Sequence, residues 1–207
     1  MIISIEGNIG AGKSTFLEQL KKSFPEAYIV PEPVDEWSTI VDSNGTTILE
    51  KYYENPKRYA FSFQMMAFIT RIKLLKAAPK NRLVITERSV FTDREIFAKM
   101  LHDDGKIEDI EYSIYLKWFD ELVGDLKIDG IIYLKTSHLT CFNRIRSRNR
   151  QGENIPPSYI ANCQHYHDMW LNKHNRVLEL DGEIDFSKEL PSQWKFEIDN
   201  FICAKYK

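Results

Sequence analysis

Short apolar runs rich in β-branched residues alternate along the chain with longer stretches whose apolar positions recur at helical spacing. The runs have the length and composition of buried strands, and they occupy residues 2–5, 28–30, 83–86, 130–134 and 177–180. The amphipathic stretches predict helices at residues 14–24, 58–77, 107–126, 141–148 and 158–175. This alternation predicts an α/β fold: a five-stranded parallel sheet flanked by helices on both faces, in a single domain spanning residues 1–207.

Charge and composition narrow the classes of partner. The chain carries 28 Lys and Arg against 30 Asp and Glu, and its pI is about 6.2, whereas domains that bind nucleic acid through phosphate charge are usually basic. Because of this charge balance, we expect no nucleic-acid partner. No apolar run approaches the ~20 residues that span a bilayer, so we expect no membrane partner either. The start of the chain shows no targeting pattern, and its three cysteines lack metal-ligand spacing, which favours a reducing, cytoplasmic location.

A glycine-rich motif follows the first predicted strand. The residues Gly7-Asn8-Ile9-Gly10-Ala11-Gly12-Lys13-Ser14 match Gly-x-x-x-x-Gly-Lys-Ser, and Thr15 continues the motif into the first predicted helix. Glycines let the backbone turn its N–H groups toward phosphate oxygens, and the helix N-terminus also favours an anion. Lys13 is expected to reach the β- and γ-phosphates and Ser14 to bind Mg²⁺. Residues 7–15 therefore predict a P-loop that binds ATP or a similar triphosphate.

Charged residues follow the second and third predicted strands. Glu32 lies in a Pro-Glu-Pro turn after residues 28–30, and Glu87 and Arg88 follow residues 83–86. Ligands of open α/β sheets bind beyond the carboxyl ends of the strands, so we expect these side chains near the phosphates. Glu32 is a candidate base for an attacking hydroxyl, Glu87 for holding Mg²⁺, and Arg88 for stabilising the transferred phosphoryl group. The alternatives are a solvated acidic turn and a surface ion pair.

Arginines alternate at the end of the helix predicted at residues 141–148. Arg144 and Arg148 are four residues apart and share a helix face, and Arg146 and Arg150 extend the series. Guanidinium groups bind polyphosphate through paired hydrogen bonds, so this pattern predicts an Arg-rich lid at about residues 144–155. A solvated basic face or an RNA contact is the alternative, and the near-neutral charge of the chain argues against RNA.

Taken together, these motifs resemble the deoxyribonucleoside kinase family, which includes deoxycytidine, deoxyguanosine, deoxyadenosine and multisubstrate kinases. The resemblance covers residues 2 to about 186, and the segments 53–56 and 61–64 match as well. It implies a P-loop NTPase fold and an enzyme that transfers the γ-phosphoryl group of ATP to the 5′-hydroxyl of a deoxynucleoside.

The resemblance also implies roles for individual residues. Glu32 would be the general base, Arg88 would contact the 5′-hydroxyl and the incoming phosphate, Lys13 would stabilise the transferred charge, and Ser14 and Glu87 would serve Mg²⁺. The other residues expected on the acceptor side are Trp37, Tyr53, Phe63, Gln64, Ala67, Arg71, Asp93, Phe97 and Glu153. Those expected on the donor side beyond the P-loop are Arg144, Arg148, Arg150, Asp185 and Phe186.

Within the acceptor set, each residue has an implied contact. Tyr53 and Glu153 would hold the sugar 3′-hydroxyl, and Gln64 would pair with the base. Phe63 and Phe97 would sandwich the base, and Trp37 would close the pocket.

The resemblance bears on base preference and assembly too. In the family, an arginine and an aspartate at the positions of Arg71 and Asp93, near Ala67, accompany the use of deoxycytidine or a purine deoxynucleoside. A charged pair at the base edge leaves no room for the thymine methyl, so we expect thymidine to be disfavoured. Family members are usually homodimers packed through helices, and we expect Trp118 and Trp170 in the core or at a subunit contact.

Two other readings of the sequence remain open. A nucleoside monophosphate kinase similar to thymidylate kinase shares the fold and the lid, but it accepts a phosphate and needs no base at Glu32. A catalytically silent relative would act as a nucleotide-binding subunit, and it would be expected to have lost Lys13, Glu32 or Arg88, which are all present.

Overall fold

The structure is a computed structural model that describes residues 1–148 and 153–204. Its parallel sheet has the strand order β2-β3-β1-β4-β5, formed by β1 (Ile2–Glu6), β2 (Tyr28–Val30), β3 (Val84–Glu87), β4 (Gly130–Lys135) and β5 (Val177–Asp181). The five predicted strands are confirmed, with each boundary within one residue of its prediction. Because β1 pairs with both β3 and β4, the loop after β1 leaves the middle of the sheet.

Helices flank this sheet. They are α1 (Lys13–Ser23), α2 (Val34–Ser38), α3 (Ile48–Glu54), α4 (Pro56–Ala77), α5 (Val90–Thr92), α6 (Lys99–Asp103), α7 (Asp109–Val123), α8 (His138–Arg148), α9 (Pro157–Leu171) and α10 (Ser192–Cys203). A π-helical segment, Asp93–Ala98, joins α5 to α6. The α/β fold class predicted from the sequence is confirmed.

The structure contains helices that the apolar pattern did not predict, namely α2, α3, α10 and the helical backbone of residues 90–103. Helices α2 and α3 are too short for a helical period to stand out in the sequence. Local hydrogen bonds define α3 instead, because Thr47 and Glu50 form a reciprocal capping box at its start. Capping also explains why α8 begins three residues before its predicted start, since Ser137 Oγ accepts from the Thr140 amide.

Apolar side chains from the sheet and the surrounding helices form the main core. Ile3 and Ile5 of β1 pack with Phe16 of α1 and Trp194 of α10 in one buried cluster. Trp170 is buried as expected, whereas half of the Trp118 surface is exposed on α7. No helix in the described part of the chain is both long enough and apolar enough to cross a membrane.

Candidate active site

A cavity of about 560 Å³ opens at the carboxyl ends of β1, β2 and β3. The P-loop supplies one side of it, Glu32 follows β2, and Glu87 and Arg88 stand at the end of β3. This is the edge at which ligands of open α/β sheets bind. The lining residues that the sequence predicted are Ile9, Gly10, Gly12, Lys13, Ser14, Thr15, Glu32, Trp37, Tyr53, Phe63, Gln64, Ala67, Arg71, Glu87, Arg88, Asp93, Phe97, Arg144, Arg148 and Glu153.

The P-loop is tightly packed against α8. Gly10 has a φ of +82°, and a Cβ atom added there would lie 2.5 Å from the carbonyl oxygen of Cys141. Only glycine meets both conditions, because other residues are strained at positive φ and carry a Cβ. The arrangement gives the phosphate loop a rigid backbone beside the first turn of α1.

Lys13 extends from the start of α1 across the P-loop. Its side chain is buried, and Nζ donates a hydrogen bond to the carbonyl of Asn8 at 2.9 Å. Burial and then the nearby Arg88 lower the pKa of Lys13 to about 8, while Glu87 and Glu32 oppose the shift. Lys13 therefore keeps its positive charge at neutral pH.

Ser14 and Glu87 bring two oxygen ligands together. The Ser14 hydroxyl donates a hydrogen bond to Glu87 Oε1 at 3.1 Å. A hydroxyl beside a carboxylate is a donor set that suits Mg²⁺, which prefers oxygen ligands and keeps its remaining positions for water and phosphate.

A buried arginine connects the charged residues at the centre of the cavity. Arg71 on α4 donates from Nε to Asp93 at 2.9 Å, from Nη2 to Glu32 at 3.1 Å and from Nη1 to the Glu87 carbonyl at 2.7 Å. Arg88 Nε lies 3.4 Å from the same oxygen of Glu32. Thus Glu32 contacts two guanidinium groups, accepting a hydrogen bond from Arg71 and forming an ion pair with Arg88.

These contacts set the charge states in the cluster. Burial raises the pKa of Glu32, but Arg88, Arg71 and Lys13 together outweigh burial and lower it. Burial also raises the pKa of Asp93, to about 6, although Arg71 opposes that shift. Glu32 is therefore the more acidic of the two carboxyls and is ionised at neutral pH.

Arg88 has an unusual backbone. Its φ is +63°, and it is the one non-glycine residue with positive φ within residues 1–148 and 153–204. The guanidinium lies 4.9 Å from the centre of the Phe97 ring, and its Nη1 has no hydrogen-bond partner among the described atoms. A strained residue with an unpaired buried donor in a cavity is characteristic of a binding or catalytic position.

The end of the cavity beyond Glu32 is aromatic. Phe63 stacks on Tyr52, with ring centres 4.9 Å apart, and meets the edge of Trp37. Gln64 is almost fully buried beside them, and its Oε1 has no hydrogen-bond partner in the described part of the chain. A flat ligand that offers a polar edge to Gln64 fits this arrangement.

Tyr53 and Glu153 lie close to one another at a further side of the cavity. Glu153 raises the pKa of the Tyr53 hydroxyl, although burial is the larger cause. Arg148 Nη2 donates to Glu153 at 2.6 Å, a contact that the sequence did not predict. An arginine of the lid and a carboxylate expected on the acceptor side are thus joined by a direct hydrogen bond.

Some predicted residues are placed away from the cavity surface. Gly7, Asn8 and Ala11 are buried within the P-loop, and Arg144 donates to the Ala11 carbonyl at 3.2 Å. Phe186 is buried against Phe16 and Trp194 in the core and does not line the cavity.

Asp185 is exposed and accepts a hydrogen bond from the Ser187 amide. Arg150 lies outside the described residues.

The cavity also includes residues that sequence reasoning missed, which are Pro31, Val34, Leu49, Tyr52 and Tyr159. Pro31 and Val34 flank the predicted Glu32 and Tyr52 precedes Tyr53, so proximity to a motif was an available signal. Leu49 and Tyr159 carry no such signal, since they join the site through the packing of α3 and α9.

The family model described as deoxynucleoside kinase matches residues 3–203. The chain is 43% identical to a probable deoxycytidine kinase of Fowlpox virus (strain NVSL), with 99% of this chain and 89% of the relative covered. It is 36% identical to the deoxycytidine kinase of Homo sapiens, over 91% of this chain and 80% of the relative. It is 32% identical to the mitochondrial deoxyguanosine kinase of Xenopus laevis, over 83% and 73%.

With this site at the edge of a parallel sheet, the protein is a kinase of nucleotide metabolism. The chain belongs to the deoxynucleoside kinase family, as the motifs predicted. It is a deoxynucleoside kinase enzyme that uses a nucleoside triphosphate as phosphate donor, which sets aside the silent-subunit alternative.

Proposed function

We propose that this enzyme transfers the γ-phosphoryl group of ATP to the 5′-hydroxyl of deoxycytidine or a purine deoxynucleoside in preference to thymidine. The observation that carries the proposal is the Arg71 cluster, which joins the candidate base Glu32 to Asp93 near the aromatic end of the cavity. Its relatives are named deoxycytidine kinase and deoxyguanosine kinase, and these names support the same group of substrates.

Glu32 takes the proton of the attacking 5′-hydroxyl. Its lowered pKa keeps it ionised at neutral pH. One oxygen accepts a hydrogen bond from Arg71 and pairs with the charge of Arg88, and the carboxylate remains able to accept the proton. Arg88 and Lys13 stabilise the charge on the transferred phosphoryl group. Phosphoryl transfer asks mainly for alignment and charge stabilisation, which these fixed side chains supply.

The donor site combines the P-loop with the arginines of the lid. Ser14 and Glu87 would hold Mg²⁺, which supplies charge neutralisation of the triphosphate when bound. No group of three or more His, Cys, Asp or Glu within residues 1–148 and 153–204 is placed to hold a metal ion. Two protein oxygens fit Mg²⁺ that takes its other ligands from phosphate and water.

The base preference follows from the polar groups around the aromatic slot. The unpaired Gln64 carbonyl requires a donor, and the exocyclic amine of cytosine or adenine supplies one. Arg71 and Asp93 are both almost fully buried, so the space they fill is closed to a thymine methyl. We therefore expect the amine-bearing bases to be phosphorylated best.

A substrate panel tests this function. Initial rates with ATP and Mg²⁺ are measured for deoxycytidine, deoxyadenosine, deoxyguanosine and thymidine, together with the four 5′-monophosphates as acceptors. We expect the highest kcat/KM for deoxycytidine or a purine deoxynucleoside and no turnover of monophosphates. Thymidine as the best substrate would overturn the base preference, and turnover of monophosphates alone would favour the alternative resembling thymidylate kinase.

We also propose a homodimer formed through α4 and α7. Ile110, Ile114 and Trp118 are spaced at i, i+4 and i+8 on α7, and each is at least 40% exposed. Ile69 of α4, the helix that packs against α7, is similarly exposed, so both helices carry apolar side chains on the surface. An apolar face of this kind is typical of a subunit contact. The predicted cytoplasmic location and single domain over residues 1–207 remain predictions.

A further inference from the structure

Two tyrosines from distant parts of the chain meet at the aromatic end of the cavity. Tyr52 lies on α3 and Tyr159 in the first turn of α9, and both line the cavity. Their hydroxyl oxygens are 2.9 Å apart, within hydrogen-bonding distance. No motif in the sequence pointed to this pair.

The hydroxyl end of Tyr52 is firmly anchored. Cys163 follows Tyr159 by one turn of α9, and its thiol lies 3.8 Å from the sulfur of Met100. Cys163 and Met100 are fully buried. The hydrogen-bonded hydroxyls therefore attach the Tyr52 ring to the packed interior beneath α9.

The ring of Tyr52 is anchored on its face as well. It stacks on Phe63 at an interplanar angle of 16°, and both rings line the cavity. Tyr52 is also the residue that α3 buries, at 3% exposure. Because stacking and the hydroxyl contact act at different parts of the side chain, the ring has little freedom to move aside for a larger ligand.

We propose that Tyr52, held by Tyr159, is a specificity-determining residue whose ring forms a fixed wall of the nucleobase pocket and excludes bases that carry an added methyl group. This wall is separate from the Arg71–Asp93 pair, which lies on α4 and at the start of the π-helical segment. The inference rests on the proposed function, since it assumes that the base occupies the slot beside Phe63.

Kinetic comparison of matched substrates tests the wall. Deoxycytidine is compared with 5-methyldeoxycytidine and N4-methyldeoxycytidine in the wild type and in Tyr52→Leu, Tyr52→Phe and Tyr159→Phe. One methylene in an apolar pocket changes discrimination by about tenfold or more, so Tyr52→Leu is expected to raise kcat/KM for at least one enlarged base relative to deoxycytidine by about tenfold. Tyr159→Phe leaves the Tyr52 ring in place but removes the hydrogen bond that holds its hydroxyl end. This variant is expected to raise the same ratio by a smaller factor.

Tyr115→Phe is the matched control. Tyr115 is a buried tyrosine of α7 whose hydroxyl has no hydrogen-bond partner among the described atoms, and it does not line the cavity. Its substitution should leave the ratio of kcat/KM for each enlarged base to that for deoxycytidine unchanged.

The outcomes separate this inference from the proposed function. The inference would be overturned if the ratio of kcat/KM for an enlarged base to that for deoxycytidine stayed within twofold of wild type in Tyr52→Leu and Tyr159→Phe. A parallel loss of activity with all substrates would show a purely structural role. If Tyr52→Leu does not fold, the ratio in Tyr159→Phe decides. Wild-type protein that phosphorylates no deoxynucleoside would instead contradict the proposed function.

Discussion

Arg71 shows at the scale of a single residue how the site is organised. Its guanidinium is almost fully buried and contacts Glu32, Asp93 and the Glu87 carbonyl through separate nitrogens. Asp93 and then Glu32 raise its pKa against the effect of burial, so it stays charged at every accessible pH. Sequence reasoning selected Arg71 for base preference, and the structure adds a direct contact with the candidate general base.

The first residue-scale prediction concerns Glu32. Glu32→Gln keeps the shape of the side chain but removes the base, so kcat should fall by about 10²- to 10⁴-fold. Binding of ATP, measured by calorimetry, should change little because the P-loop contacts are retained. Glu36→Gln is the control, since Glu36 pairs with Lys73 outside the cavity. Near-normal turnover in Glu32→Gln would rule out its role as base.

The second residue-scale prediction concerns the charge of Lys13. Its pKa is lowered to about 8 in the folded protein, so the ammonium is present below pH 8 and is lost above it. The affinity for ATP should therefore decrease as pH rises through about 8, by up to about tenfold per pH unit. Lys13→Met should bind ATP weakly at pH 7 and show no such decrease. A flat profile between pH 7 and pH 9 in the wild type would contradict the assignment.

At the scale of elements, α7 has two faces with different roles. Tyr115 and Phe119 pack with Phe68 of α4 in a buried cluster, while Ile114 and Trp118 face outward. The apolar spacing in the sequence predicted this helix and placed Trp118 in the core or at a subunit contact. The structure excludes the core for Trp118, which leaves the contact as the proposal.

The exposed face of α7 gives a prediction about assembly. Trp118→Lys places a charge in the proposed contact, so a dimer should dissociate to monomers at micromolar concentration. Light scattering after size exclusion reports the mass directly. Phe196→Lys is the control, because Phe196 is an even more exposed aromatic residue and lies on α10, outside the proposed contact. A monomeric wild type, or a dimer that both variants retain, would overturn the proposal.

At the scale of the whole molecule, packing between distant segments defines both halves of the cavity. The P-loop rests against α8, and α9 contacts the P-loop through a 2.9 Å hydrogen bond from Asn8 Nδ2 to the Ile160 carbonyl. The next residue back on α9, Tyr159, reaches Tyr52 on the acceptor side. The first turn of α9 thus touches both the donor loop and the base pocket.

The contact between the P-loop and α8 can be tested with a matched pair of glycine variants. Gly10→Ala adds strain at positive φ and a clash with the Cys141 carbonyl, so the free energy of unfolding should fall by about 2–4 kcal/mol. Gly45 has a φ of +81°, but a Cβ atom added there meets no described atom within 4 Å. Gly45→Ala should therefore lower the free energy of unfolding by only about 1–2 kcal/mol. Urea unfolding measures both, and ATP binding should be impaired only in Gly10→Ala. Equal losses in the two variants would show that the close approach to α8 has no energetic effect.

Local patterns in the sequence were sufficient for the sheet and for the motifs. A buried strand needs only a short apolar run, and a P-loop needs consecutive residues with particular backbone freedom, so both are encoded over neighbouring positions. Those patterns located the five strands within one residue and identified the family from motifs such as 7–15 and 87–89. Short helices such as α2 were missed because they contain too few residues for a helical repeat of apolar positions to be recognised.

Tertiary structure decided which of the candidate side chains meet. Glu32 and Arg71 are 39 residues apart, Arg71 and Asp93 are 22 apart, and Tyr52 and Tyr159 are 107 apart. The distance between such residues depends on how the crossover helices pack on the sheet, and no local pattern encodes that packing. The same packing places Phe186, which was expected at the donor base, against Phe16 and Trp194 and beside Gly12 of the P-loop. The sequence by itself determined the fold, the phosphate loop and the class of reaction, whereas packing alone brought together the Arg71 cluster and the tyrosine wall.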